Sequence, residues 1–204
     1  LTGAGRGFSA GADLSERKAS WEGSKDALLR GYKPSFENII NMSKPVIASV
    51  SGPAAGIGAA LAMSCDLRVM SEESYLLSVF SNIALVPDGG LSWFLPKFMG
   101  YAKAYEYAVE AKKISASDCL KYGIANKLVP ADEIEETTLE WANKLSKRSS
   151  QSLNHTKRLM RESLAVGYWD TFNNEAEIQN ELTVSPQNRE AVKAFLEKRE
   201  PNFD

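Results

Sequence analysis

At 204 residues the chain is long enough for one domain with a sizeable core, or for one domain carrying a helical appendage. Apolar residues make up 44% and charged residues 25%, and the formal net charge of -2 excludes the overall basicity of a nucleic-acid binder. No apolar run is long enough to cross a bilayer and no signal peptide is visible, so the expectation is a cytoplasmic protein that engages neither nucleic acid nor membrane.

The chain opens on "LTGAGRG" without an initiator Met, which reads as the end of a strand and sets the expectation of an upstream segment. Residues 16 to 42 carry a mostly helical pattern that Gly31 and Pro34 interrupt. The stretch "PVIASV" (45 to 50) is short, β-branched and almost continuously apolar, as a strand covered on both faces is. In "SGPAAGIGAALAM" (51 to 63) three glycines and a run of alanines follow. There the chain leaves a strand, turns where side chains are unwelcome, and enters a short helix over 58 to 64. "DLRVMS" (66 to 71) reads as a second strand, and "YLLSV" as a third that leads into the loop "SNIALVPDGG". Strand, helix, strand is a right-handed crossover unit, and α/β proteins place ligands in the turns at the carboxyl ends of strands.

From Ser92 onward helix follows helix. "SASD" (115 to 118) has the form of a capping box with Gly123 closing its helix, and "IANKLV" is a short strand. Ile134, Thr138, Trp141 and Leu145 share one helix face, and Leu153, Thr156, Met160 and Leu164 share another. Ser185 and Pro186 start a final amphipathic helix with Ala191, Val192 and Phe195 on its apolar side. The expected division is a sheet-containing core over residues 1 to 130 and a helical oligomerisation or lid region over 131 to 204.

Several chemistries fall away on spacing. Gly56, Ile57, Gly58 is followed by Ala59, Ala60 and Leu61, so the third glycine of a dinucleotide fingerprint is missing, and "GAGRGFSAG" has Phe8 in that place. Cys65 and Cys119 lie far apart and fit no metal-ligand spacing, so reduced thiols and no metal are expected. His155 is the only histidine and no G-x-S-x-G elbow is present, which argues against a nucleophilic hydrolase. The basic run "KRLMR" (157 to 161) reads as one solvated helix face.

Four stretches point together: "GAGRGFSAGADL" (3 to 14), "PVIASVSGPAAGIGAALAMSCDLRV" (45 to 69), "IALVPDGGLSWFLPKFMG" (83 to 100) and "FLEKREPNF" (195 to 203). Over nearly the whole chain they resemble the crotonase superfamily, the enoyl-CoA hydratase and isomerase family. The resemblance implies an α/β fold with a ββα spiral core and a C-terminal helical region, assembled as a homotrimer or dimer of trimers. It implies an acyl-CoA thioester as the substrate, with no separate cofactor. The thioester oxygen would sit between the backbone amides of Ala12 and Ile57, which stabilise an enolate, with the helix starting near Gly58 adding its dipole. CoA would run along Ala10, Ala12, Asp13 and Leu14, with Lys198 as a further contact. On the residues alone, Lys198 reads equally as a solvent-exposed helix lysine, and Asp13 as a helix N-cap before "LSERK".

Hydratases of the family use two glutamates, and here Ala60 and Phe80 stand at those positions, so neither can move a proton. Isomerisation needs one base, and Asp88 in "LVPDGG" lies where isomerases of the family, including the ring-opening isomerase of phenylacetyl-CoA degradation, carry their acid. Ile83, Leu85, Val86, Leu91 and Trp93 are expected to desolvate Asp88 and raise its pKa. "PDGG" is also an ideal turn in which Asp serves backbone hydrogen bonding alone. Glu16 and Asp26 stand as candidate second acids. The rival readings are thioester dehalogenation or hydrolysis, with Asp88 as nucleophile in the former, an ordinary hydratase, and a non-catalytic acyl-CoA or RNA-binding relative.

Overall fold

Four successive residues, Ile47–Val50, form β1, and all four are buried, as a strand covered on both faces requires. The computed structural model describes residues 1–15 and 21–203; Glu16 lies outside the described residues. After β1 come β2 (Ala54–Ala55) and α3 (Ile57–Ser64), then β3 (Leu67–Ser71), β4 (Tyr75–Leu77) and a 3-10 turn (Phe80–Ile83). Helices α4 (Leu91–Met99) and α5 (Tyr101–Val109) follow, then β5 (Lys113–Ser115), α6 (Ala116–Lys121) and β6 (Lys127–Val129). Two strands and a helical segment thus recur. The copies stack, because β1 pairs with β3 and β2 with β4, both parallel. Thr2 bridges Ser49 and Ser9 bridges Ala54 in the same parallel sense, so residues 2–9 occupy the preceding turn of one ββα spiral. One sheet has the order β1-β3-β6 and the other β2-β4-β5, with β5 antiparallel to β4.

Before β1 the chain is helical from Ser24 to Asn41, in three segments: α1 (Ser24–Asp26), a π-helical stretch (Ala27–Tyr32) and α2 (Lys33–Asn41). Gly31 and Pro34 do not break this run. Pro34 cannot donate to the preceding turn, and the widened π turns directly before it absorb the lost bond. Strand β5 was not expected: its three residues carry a single buried apolar side chain, Ile114, which is too short a pattern to read. The expected loop after "YLLSV" contains the 3-10 turn, closed by Ala84 in the left-handed region (φ 57°). Strand "IANKLV" shortens to β6: Ala125 N donates to the Cys119 carbonyl in a turn, and Asn126 N reaches the Arg68 carbonyl of β3. The "SASD" cap forms in one half of the expected box: Ser115 Oγ accepts from Asp118 N, while Asp118 Oδ2 accepts from Ser115 Oγ and Tyr107 Oη, and Gly123 lies at φ 73°.

Helix α3 is buried almost all round, which its alanines and Gly58 permit. Arg68 secures its carboxyl end. The guanidinium, 4% exposed, donates to the carbonyls of Cys65 (2.7 Å) and Ile124 and, at longer range, of Ala62 and Met63. A cation there satisfies terminal carbonyls and opposes the negative end of the helix dipole.

The residues divide into two compact units, 1–40 with 46–139 and 41–45 with 140–204; the division falls inside α7 (Ile134–Ser146), later than the expected boundary after residue 130. The second unit contains α8 (Ser150–Glu162), α9 (Tyr168–Thr183) and α10 (Pro186–Glu197), with α9 packed on both others. Ser185 caps α10 by accepting from Asn188 N, with Pro186 at the first position. The expected inward face of α10 is corrected: Ala194 is the buried residue, whereas Phe195 is 81% exposed.

Replacing Arg68 by Met keeps the apolar stem and leaves the Cys65 and Ile124 carbonyls without their charged donor. The expected loss is about 3 kcal/mol of unfolding free energy, read by urea denaturation.

Candidate active site

The glycine-rich segments meet where side chains would not fit. Ser9 and Ala54 pair, with Ala55 N donating to Ser9 O at 2.9 Å, and this brings residues 9–12 alongside residues 54–58. A Cβ on Gly11, whose φ is 98°, would lie 3.0 Å from the Ala55 carbonyl oxygen and 3.9 Å from Gly56 Cα. Gly56 itself, at φ 54° and ψ -129°, adopts a backbone that glycine alone takes readily. Its N–H donates to Leu77 O, and its carbonyl receives Ala59 N and Ala60 N. Each strained glycine immediately precedes one of the two expected donors, Ala12 and Ile57. Among the described residues neither of these N–H groups has an acceptor. Ile57 is the first residue of α3, so its N–H also lies at the positive end of the helix dipole.

The loop "VPDGG" is pressed against the same helix turn. A Cβ on Gly89 (φ 59°) would stand 2.6 Å from Ala60 Cβ, 2.6 Å from Ile57 Cδ1 and 3.3 Å from Phe36 Cζ. Asp88 is therefore carried directly beside Ile57 and Ala60. Its Oδ1 is fully buried with no hydrogen-bond partner, and burial pushes its pKa above the ordinary carboxylate value. The turn function also exists, because Leu91 N donates to the Asp88 carbonyl, but that bond uses the main chain and leaves the carboxylate unspent.

Of the five apolar residues expected around Asp88, one is buried. Leu91 is buried, whereas Ile83, Leu85, Val86 and Trp93 are exposed, Val86 at 78%. Leu85 and Val86 turn into an open apolar groove with Tyr101, Tyr105 and Val109, and Trp93 packs edge-on to Phe94 with Lys97 over its face. Glycine at 89 lets the loop lie flat on α3, against Ile57 and Ala60. Phe80, 6% exposed, lies beneath Gly56, its Cζ 3.8 Å from the Cβ position.

Ala10, Ala12, Asp13 and Leu14 are all exposed along one segment. Asp13 Oδ1 accepts from Ser15 N (2.8 Å) and Ser15 Oγ (2.6 Å), which makes it the head of an Asx turn. Gly58 is buried, and a Cβ there would overlap Ser9, standing 2.5 Å from Ser9 Cβ. Lys198 is exposed in the second unit, in the left-handed conformation (φ 55°) that ends α10. Asp26 is held by Arg30 at 2.9 Å, and His155 belongs to α8 of the second unit. No metal-holding group of His, Cys, Asp or Glu occurs among the described residues, and no helix among them is long and apolar enough to cross a membrane. The sequence reading missed Phe36 and the contact made at Gly89. The available signal was Leu28, Tyr32 and Phe36 at intervals of four.

Stacked ββα turns with a helical C-terminal region are the crotonase fold. The chain belongs to the enoyl-CoA hydratase/isomerase family, whose model matches residues 1–204. It is 34% identical over 203 residues to a probable enoyl-CoA hydratase of Rhodobacter capsulatus, covering 100% of this chain and 79% of that one. It is also 34% identical over 208 residues to the 1,2-epoxyphenylacetyl-CoA isomerase of Escherichia coli, again with 100% and 79% covered. The solved enoyl-CoA hydratase of Bacillus anthracis superposes with a TM-score of 0.92 at 28% identity, covering 100% of this chain and 80% of that one.

A methyl group at position 58 tests the packing that holds the two amides together. Gly58→Ala is expected to wedge α3 from Ser9 at a cost of about 1–3 kcal/mol, and Ser9→Gly in the same chain to recover most of it, both read as thermal midpoints.

Proposed function

We propose that the chain is an acyl-CoA isomerase that moves the double bond of a 3-enoyl-CoA into conjugation with the thioester. The observation that carries this reading is the unpartnered, buried Oδ1 of Asp88, on a loop seated against Ile57 and Ala60. Asp88 removes a proton from the α carbon, and the electron pair passes to the thioester oxygen, giving a dienolate. The N–H groups of Ala12 and Ile57 hold that oxyanion; such a donor is worth about 2.7–4 kcal/mol in other oxyanion holes. Asp88 then returns its proton two carbons further along, and the pair settles as the conjugated double bond. Proton count and charge balance without a water or a cofactor. Ala60 and Phe80, where hydratases of the family carry glutamates, leave no side chain at those positions to activate water.

Ala10, Asp13, Leu14, Gly58 and Lys198 are proposed to line the path of CoA by the family resemblance. The similarity to the 1,2-epoxyphenylacetyl-CoA isomerase favours ring-bearing acyl-CoA as a second substrate to assay. We also propose a cytoplasmic homotrimer or dimer of trimers. Support comes from apolar surface exposed on the second unit: Tyr168, Trp169 and Phe172 cluster on α9, and Phe195 and Leu196 lie on α10.

The raised pKa of Asp88 has two signed consequences. As a base it works only when ionised, so the acid limb of kcat/KM is expected above the ordinary carboxylate range. A folded-state pKa above the unfolded one means that the native protein retains a proton the unfolded chain has lost. Stability is thus fully present below the unfolded value near 3.8 and is lost as pH rises through the folded value. Asp88→Asn is therefore expected to lower isomerisation about 10²–10⁴-fold and to raise the thermal midpoint at neutral pH, an advantage that disappears in acid. The paired assay follows conjugation of 3-enoyl-CoA and hydration of crotonyl-CoA. Robust hydration, or isomerisation that survives the substitution, overturns the reading.

A further inference from the structure

Phe36 meets the Asp88 loop at Gly89 from a different element. Leu28, Tyr32 and Phe36 all pack against the core of the first unit. Leu28 and Tyr32 lie in the π-helical stretch 27–32 and Phe36 in the α-helix that continues it. Trp21 clamps this stretch, because a Cβ on Gly31 would stand 2.9 Å from the indole Cζ2. Phe36 stands one turn beyond the π segment, in α2. Its Cζ lies 3.3 Å from the Gly89 Cβ position, the same point that Ile57 Cδ1 and Ala60 Cβ crowd.

Phe36 is only half-buried, whereas Phe80 is spent on packing beneath Gly56. Part of the Phe36 side chain stays exposed, while its Cζ end lies next to the loop that bears the carboxylate. With the thioester oxygen at Ala12 and Ile57 and the reacting carbons at Asp88, the remaining hydrocarbon meets the helix Lys33–Asn41 at Phe36. The geometry points to Phe36 as a specificity-determining residue that limits the length of the acyl chain. This inference rests on the proposed placement of the thioester, and it requires no particular fate for the double bond.

Binding of saturated acyl-CoAs with four, six, eight and ten carbons, measured by calorimetry on the full chain, reads the wall without any turnover. Phe36→Ala is expected to raise the ratio of ten-carbon to four-carbon affinity by about tenfold, the worth of roughly two buried methylenes. Phe36→Leu, a smaller change that protects folding, shifts the ratio in the same direction by less. Equal loss at every length in a folded variant, or an unchanged ratio, overturns the inference and leaves Phe36 a packing residue. A shifted ratio in a protein that fails to isomerise 3-enoyl-CoA upholds the wall and removes the isomerase reading; isomerisation with a flat ratio does the reverse.

Discussion

Two stretches of main chain, residues 6–12 and 52–58, lie against each other with almost no side chain between them, and the site depends on that approach. Gly7 would meet Pro53, Gly11 the Ala55 carbonyl and Gly58 the Ser9 side chain if any of them carried a Cβ. Glycine costs conformational entropy in the unfolded chain, roughly 0.5–1 kcal/mol relative to alanine within regular structure. Here it permits two main-chain turns to come together on neighbouring strands. Donors built in this way are fixed by the fold and need no side-chain reorganisation when charge develops on a bound oxygen.

A fixed pair of amides places the burden of reaction choice on side chains around it. Asp88 carries such a burden visibly, because a carboxylate oxygen without a partner is unfavourable inside a protein. The fold tolerates it through contacts elsewhere in the same unit. The buried guanidinium of Arg68 ties the end of α3 to the turn before β6, and Asp66 accepts from Val46 N at 2.8 Å, joining the entrances of β1 and β3. Helix α3 is thereby held at its carboxyl end, while its first turn and the Asp88 loop remain committed to one another.

Elements with a strong local signal were legible. Continuous burial in β1, the glycine turn before α3 and the serine caps at Ser115 and Ser185 follow from pattern or local hydrogen bonding. What was not legible depends on contacts between distant residues. Strand β5 exists because Tyr75–Leu77 offers it an edge, not because "KIS" has a pattern. Gly31 and Pro34 look like helix breakers, yet Trp21 and the π turns convert them into a change of helical pitch. The apolar residues flanking Asp88 in sequence suggested its environment, and most of them are exposed.

That last difference bears on how the carboxylate acquires its character. If Leu85 and Val86 were its neighbours, a flexible surface loop would control its hydration. Contact through Gly89 with Ile57, Ala60 and Phe36 assigns that control instead to helices anchored in the core. The Ile57 amide and the Asp88 loop then share one support, so a shift in α3 moves the proposed oxyanion position and the proposed proton carrier's loop together. Coupling of this kind suits the proposed reaction, in which a single group takes and returns a proton on one bound chain. It serves less well a reaction that must also orient a separate water, for which Ala60 and Phe80 provide no polar side chain.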